Sequence, residues 1–184
     1  MDEIRERLAA RREQRPEEPE PPLGIRRAAV LIPLFVRDGA LWILFTLRTE
    51  TVEHHRGQIS FPGGSEEEDD DSLLETALRE TREEIGVDET DVRYLGALSP
   101  LTTVTDFYVE PFVGAIPSPY AFRLAESEIA ELIEAPVAAL LDPRILERKV
   151  LPGREEPTLF YRHGRHVIWG ATARMLWELL EALK

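Results

Sequence analysis

Hydrophobic and polar residues fall in blocks along this chain, and the period of the blocks changes with position. From Arg26 the runs RRAAVLIPLFV and ALWILFTLR are rich in β-branched and aromatic residues and are joined by Arg37, Asp38 and Gly39. Asp-Gly between two such runs signals a tight turn, so a buried hairpin is predicted. A polar loop, TETVEHHRGQ, then leads into the short apolar ISF and the turn PGG. Beyond it the period lengthens. Between Ser72 and Gly86, Leu74, Leu78 and Ile85 share one stripe, acids precede the first turn, and Gly86 supplies a stop, which predicts a helix. VRYLGALSPL and FYVEPFVGAI read as two further strands, and residues 128–141, EIAELIEAPVAALL, as a short strand or helix broken by Pro136. TLFYRHGRHVIWG predicts a second hairpin around His163 and Gly164, and ATARMLWELLEAL an amphipathic C-terminal helix. Irregular alternation of strands with two good helices predicts an α+β (mixed α/β) fold with helices packed on a sheet.

The first 25 residues differ from the rest. Residues 2–15 read as a polar, weakly amphipathic helix, and RPEEPEPP after them as a stiff proline-rich connector. This arm, residues 1–25, is expected to lie outside the core of a single domain spanning 26–184. The length of 184 residues and the 43% hydrophobic content suit one domain with a sizeable core.

Charge narrows the partners. A formal net charge of −13 argues against nonspecific binding to nucleic acid or anionic membrane, since a polyanion is repelled without a large basic patch, and none is visible. No apolar run of membrane-spanning length is present, and MDEIRERLAARREQRPEEPE lacks the apolar core of a secretion signal, so a cytoplasmic protein is expected. The absence of cysteine rules out disulfides and thiolate metal sites. A small anionic ligand remains compatible with the charge if a metal ion and a few arginines reverse the field locally.

Candidate chemistry concentrates in GGSEEEDDDSLLETALRETREEIGV, residues 63–87. On a helix Glu80 and Glu84 lie one turn apart with Glu83 beside them, so three carboxylates are expected to converge. Such a group suits a hard divalent cation, Mg²⁺ or Mn²⁺, with oxygen ligands. Arg79 is placed to bridge Glu75 and Glu83. Taken alone, RETREEIG reads more readily as a salt-bridged, solvated helix face than as a site, since glutamate and arginine are good helix formers. The Pro-Gly-Gly turn upstream changes the balance, because it offers exposed carbonyls and close backbone approach to a ligand. The dense run Glu66–Asp71 is expected to be mostly solvated ahead of the helix N-terminus, with only its last one or two aspartates near the site.

Arg79-Glu80-Thr81-Arg82-Glu83-Glu84-Ile85-Gly86-Val87 resembles the second half of the Nudix hydrolase box, which reads Gly, five residues, Glu, seven residues, Arg-Glu-apolar-x-Glu-Glu-x-Gly-apolar. Thr81 replaces the usual aliphatic. With Gly64 at the glycine, one extra residue precedes Arg79, and the first acid is Asp70 or Asp71. FTLRTETVEHHRGQISFPGG resembles the segment before the box in the coenzyme A pyrophosphatase branch, with Thr46, Arg48, His55, Gly57, Gln58, Phe61, Pro62, Gly63 and Gly64 in register. HVIWGATARML resembles the start of that branch's C-terminal helix, so the likeness covers about residues 26–183 and leaves out the arm.

The resemblance implies a Nudix fold, a mixed curved sheet sandwiched between helices, and metal-dependent cleavage of coenzyme A to 3′,5′-ADP and 4′-phosphopantetheine. Glu80, Glu84 and Glu83 are then the expected metal ligands, with a carbonyl of Gly63 or Gly64 completing the shell. The water-activating base is Glu83 or, from a downstream loop, Glu128. Arg79 braces the helix, and Arg48, His55, Arg56 and Gln58 are candidates for phosphate or ribose oxygens. Phe107 and Tyr108 are open to stacking on adenine, lining the pantetheine path, or core packing. His163 and His166 read as hairpin residues without a ligand role. Other Nudix substrates, such as ADP-ribose, NADH or a nucleoside triphosphate, and a non-catalytic nucleotide-binding regulator, are the alternatives. By family analogy alone, a homodimer is expected.

Overall fold

The computed structural model describes residues 1–13, 24–50, 57–153 and 156–184. The proline-rich connector lies outside the described residues. The chain opens with helix α1 (Asp2–Glu13) and then forms the predicted hairpin, β1 (Arg26–Arg37) and β2 (Ala40–Arg48). Two short strands follow, β3 (Ile59–Ser60) and β4 (Gly63–Ser65), and then helix α2 (Leu73–Ile85). Next come β5 (Arg93–Ala97), β6 (Leu101–Thr102), β7 (Phe107–Ala115) and β8 (Ile129–Pro136). A single turn, α3 (Val137–Leu140), and strand β9 (Leu146–Lys149) precede the second hairpin, β10 (Thr158–His163) and β11 (His166–Trp169), and the C-terminal helix α4 (Gly170–Leu183).

The main sheet is mixed. Its order is β3-β2-β1-β7-β5, with β4 added to β1, β6 to β7 and β8 to β2, and among the described residues only the β1–β7 pair is parallel. β9, β10 and β11 form a separate antiparallel sheet. β1 changes partner along its length on one side: Ala28–Val30 pair with β4, and Leu34–Arg37 with β2. Pro33, which has no N–H to donate, falls between the two pairings. The Pro62 carbonyl accepts from Leu31 N–H at 2.9 Å and carries the first pairing up to that point.

Period-two alternation sorts β1 and β2 onto two faces. Ile32, Leu34, Ile43 and Phe45 join a large core with Ala173, Leu176, Leu179 and Leu180 of α4, whereas Ala29 and Leu31 pack with Leu73 and Ala77 of α2. Phe35 and Leu44 meet Ile85 and Val87 at the end of α2. Both faces are thus covered, which explains why β1 reads as a nearly unbroken apolar run. Each fully buried Leu, Ile or Phe among them contributes about 1.5–3 kcal/mol. No helix among the described residues is long and apolar enough to cross a membrane.

Two expectations need correction. The helical part of the arm, α1, does not lie outside the core: Leu8 is only 1% exposed and belongs to the same cluster as Leu95 and Leu176. Gly96 of β5 makes the space, since a Cβ there would stand 2.9 Å from Leu8 Cβ. Arg7 Nη1 donates to the Leu183 carbonyl at 2.9 Å, and Arg93 pairs with Asp2, so α1 is tied to α4 and β5. The buried stripe of α2 also differs. It runs through Leu73, Ala77, Thr81, Glu84 and Ile85, while Leu74 and Leu78 are half-buried. Small residues at 77 and 81 let the helix approach the sheet closely. The hydroxyl of fully buried Thr81 donates to the Ala77 carbonyl at 2.6 Å, which explains how a polar residue occupies an aliphatic position.

Candidate active site

The candidate site lies where β4 meets α2. Val30 faces Gly63 and Ala29 faces Gly64 across the β1–β4 pair. A Cβ at residue 63 would stand 2.3 Å from the Ala29 carbonyl oxygen and 2.6 Å from Val30 Cα, so only glycine lets the turn lie against β1. At residue 64 the neighbour is a carboxylate instead. A Cβ there would stand 2.4 Å from Glu80 Oε1 and 2.7 Å from Oε2, so the bare backbone leaves room for Glu80.

α2 is anchored at both ends. Ser72 caps it by accepting from the Glu75 N–H, and Gly86, at φ 73°, ends it by donating to the Arg82 carbonyl. These caps set the phase that turns Glu84 inward and Glu80 toward β4. Glu84 is 3% exposed. Its Oε1 accepts from Arg48 Nη1 at 2.9 Å and its Oε2 from the Gly63 N–H at 3.3 Å. Arg48, the last residue of β2, also donates through Nη2 to Glu128 Oε2 at 3.3 Å. Thr49 fastens the two segments: its N–H donates to the Glu128 carbonyl at 2.8 Å and its hydroxyl to the Ser127 carbonyl at 3.0 Å. One guanidinium therefore joins a carboxylate of α2 to one at the start of β8.

Arg79 forms the second hub. Nε and Nη2 donate to the two oxygens of Asp70, each at 2.9 Å, Nη1 to Glu80 Oε1 at 2.9 Å, and Nη2 also to the Ser65 carbonyl at 3.0 Å. Its partner toward the helix start is Asp70 rather than the expected Glu75, whose carboxylate accepts from the Asp71 N–H at 2.8 Å. Asp70 is 5% exposed on its side chain, and its Oδ2 accepts also from Thr76 Oγ1 at 2.8 Å. Asp71 is exposed. The first acid is thus Asp70, at the box spacing from Gly64, and the extra residue is absorbed in the turn before Ser72. Of the preceding acids, Glu66 is less solvated than expected and reaches Arg27 at 3.1 Å, whereas Glu67 is exposed as expected, 3.6 Å from Arg79.

The expected convergence of three carboxylates is only partly seen. Glu83 is 56% exposed and lies 3.7 Å from Arg79 Nη1. Among the described residues no three acids or histidines are already gathered as a cation cage. Arg48 and Arg79 occupy oxygens of Glu84 and Glu80 instead. The electrostatics of those two acids are nonetheless unlike a surface face. Burial pushes Glu84 up to about 8 against the pull of Arg48, with Glu80 and Glu128 adding to the rise. Glu80 is raised too, first by burial, with the charges of Glu83 and Glu128 contributing and Arg79 opposing. Asp70, by contrast, is held well below the usual aspartate range by Arg79.

Comparison with known proteins agrees with this geometry. The sequence model of the NUDIX domain matches residues 25–155. The chain belongs to the Nudix hydrolase family. It is 36% identical over 176 residues to an uncharacterised Nudix hydrolase, NudL, of Cronobacter sakazakii, covering 90% of this chain and 86% of that one. A NudL of Shigella flexneri is 35% identical over the same extent. Among solved structures, a MutT/nudix family protein from Enterococcus faecalis aligns over 96% of this chain and 66% of its own at TM-score 0.55 and 18% identity. The NUDIX domain of Shewanella oneidensis NrtR, solved with ADP ribose, aligns over 72% of this chain and 85% of its own at TM-score 0.51 and 19% identity. These two share the fold.

This Nudix hydrolase is an enzyme acting on diphosphate linkages, and its site fits the divalent cation that the family uses. Two half-buried or buried carboxylates with raised proton affinity, all-oxygen donors and a bare glycine backbone beside them suit a hard cation. Gln58 stands next to Arg48, its carbonyl accepting from the Arg48 N–H at 3.0 Å. His55 and Arg56 lie outside the described residues. Phe107 is not brought to the carboxylates by any described contact: it pairs with Arg26 at the start of β1, and that guanidinium carbon sits 3.9 Å from its ring centroid. The sequence left the first acid open between Asp70 and Asp71, and the structure sets Asp70 on Arg79. The spacing of Asp70 from Gly64 was the available signal.

Proposed function

We propose that the enzyme is a divalent-cation-dependent coenzyme A diphosphohydrolase, with Mg²⁺ or Mn²⁺ as the cation, yielding 3′,5′-ADP and 4′-phosphopantetheine. The observation that carries this reading is the Thr46–Gly64 segment, whose coenzyme A pyrophosphatase-like pattern places Arg48 on Glu84 and Gln58 beside Arg48. Glu80 and Glu84, with Glu83 and a carbonyl of Gly63 or Gly64, hold the cation in this reading. When bound, it neutralises charge on the diphosphate. Arg79 fixes Glu80, and Glu83 or Glu128 takes the proton of the attacking water. Arg48, His55, Arg56 and Gln58 orient the phosphates and ribose, and Phe107 borders the substrate path.

A substrate panel tests the assignment: coenzyme A, acyl-coenzyme A, ADP-ribose, NADH and a nucleoside triphosphate, each with Mg²⁺ or Mn²⁺ and products resolved by chromatography. Release of 3′,5′-ADP from coenzyme A is expected. Turnover of ADP-ribose without any of coenzyme A or its thioesters would overturn the substrate and keep the family. Tight nucleotide binding without hydrolysis of any diphosphate would favour a regulator. The cytoplasm is the proposed compartment, and light scattering of the purified protein tests the proposed homodimer.

A further inference from the structure

The two arginines of the site are engaged differently. Every nitrogen of the Arg79 guanidinium has an acceptor, from Asp70, Glu80 or the Ser65 carbonyl. Arg48 is only partly satisfied. Nη1 donates to Glu84 and Nη2, more weakly at 3.3 Å, to Glu128, while Nε is buried and has no hydrogen-bond partner among the described residues. A buried donor left unpaired is costly, so the Arg48 pose is stabilised less completely than that of Arg79. A guanidinium also cannot yield by losing its proton. If another cation takes Glu84, Arg48 has to move or share.

From this contrast we propose that Arg48 is an exchangeable counter-ion for Glu84: it competes with the divalent cation for that carboxylate, and its displacement unpairs Glu128. The proposal rests on the reading of Glu80 and Glu84 as cation ligands. Arg48 side-chain exposure of 20% leaves room for the guanidinium to swing outward, and the Thr49 hydrogen bonds to Ser127 and Glu128 keep the backbone of both segments in place while it does so. The two outcomes of its departure are linked. Glu84 becomes free to ligate, and the Glu128 carboxylate, 49% exposed, loses its only described ion-pair partner at the moment the cation arrives. Arg48 thereby gives the cation an indirect grip on Glu128, a residue that the bound cation need not touch.

The test is a direct calorimetric titration of Mg²⁺ into full-length, chelator-stripped protein at about pH 8.5, where proton competition for carboxylates is reduced. Wild type, Arg48→Gln, Arg48→Lys and Glu84→Gln are compared, with circular dichroism and thermal melting confirming that each is folded. Removing a competing charged hydrogen bond is expected to tighten Mg²⁺ binding by about tenfold in Arg48→Gln. Arg48→Lys, whose single ammonium cannot span two carboxylates, should fall between it and wild type; it decides the matter if Arg48→Gln does not fold. Glu84→Gln should weaken binding by at least about tenfold. Unchanged or weaker Mg²⁺ binding in the Arg48 variants, with Glu84→Gln still deficient, overturns the competition and leaves the cation site standing. Unchanged binding in Glu84→Gln overturns the cation reading itself.

Discussion

Arg79 grips Asp70 through two parallel hydrogen bonds, Nε to Oδ1 and Nη2 to Oδ2, both at 2.9 Å. This fork joins the acidic turn to α2 and, through Arg79 Nη1, fixes Glu80. Because Arg79 holds the folded Asp70 below its ordinary value of 3.8, the native state binds fewer protons than the unfolded chain in acid. The stability from this pair is therefore complete above about pH 4 to 5 and is lost as the pH falls through the unfolded value toward the folded one. Asp70→Asn should cost roughly 1.5–3 kcal/mol at neutral pH, the range for hydrogen bonds to charged groups. The deficit should shrink on acidification, since the wild type loses the same contribution. Urea melts at pH 7 and pH 3 check this; a gap of equal size at both would sink the linkage.

Glu84→Gln separates function from stability. Glutamine keeps the size of the side chain and an acceptor for Arg48 Nη1, and gives up the long bond from the Gly63 N–H. It also removes a charge that burial disfavours. Stability in the presence of chelator is expected to stay within about 1 kcal/mol of wild type, and diphosphate hydrolysis to fall by at least about 10²-fold. Equal loss of both would recast Glu84 as a structural residue.

Much of this architecture was legible because it is local. The Asp-Gly turn, the apolar runs of β1 and β2, Ser72 and Gly86 as helix ends, and the Arg-Glu-x-x-Glu-Glu spacing each act over a few residues. What could not be read depends on distant partners. Ile4 and Leu8 make only a short apolar stripe on a mostly charged α1, and the close seating of Leu8 depends on the missing side chain of Gly96 on β5. The buried stripe of α2 runs through Leu73 and Ala77, which pack on Ala29 and Leu31 of β1, and leaves Leu74 and Leu78 half-buried. Asp70 and Asp71 are alike as neighbours in a run, and only Arg79 tells them apart. Phe107 was open to substrate stacking or packing, and Arg26 over its ring supplies its described aromatic contact.

The adjacent glycines of β4 should fail in opposite ways. Gly63→Ala drives a methyl into the backbone of Ala29 and Val30, which cannot withdraw without breaking the β1–β4 pair. A loss of about 1–3 kcal/mol or more is expected, with weaker activity as a consequence. Gly64→Ala meets the end of a flexible side chain, the Glu80 carboxylate. Melting should change little while hydrolysis and Mg²⁺ affinity drop, by about 10–100-fold, because Glu80 is pushed from its position on Arg79. Thermal melts and calorimetry on both variants check the contrast, and identical behaviour of the pair would refute it.

The standing of α1 can be decided by one core substitution far from the site. An arm that merely trails from the domain would tolerate Leu8→Ala within about 0.5 kcal/mol, as surface positions do. Leu8 instead lies over Gly96 and in the cluster with Leu95, Leu98 and the α4 leucines. Truncating it removes buried methyl groups and leaves a cavity, which should cost about 2–5 kcal/mol. The helix that carries it also holds Arg7 on the Leu183 carbonyl, so the loss of Leu8 should loosen the C-terminal end of α4 as well. Denaturant unfolding measures the first effect and amide exchange in residues 179–183 the second. A Leu8→Ala protein as stable as wild type, with unchanged protection in α4, would return α1 to the status of an appendage.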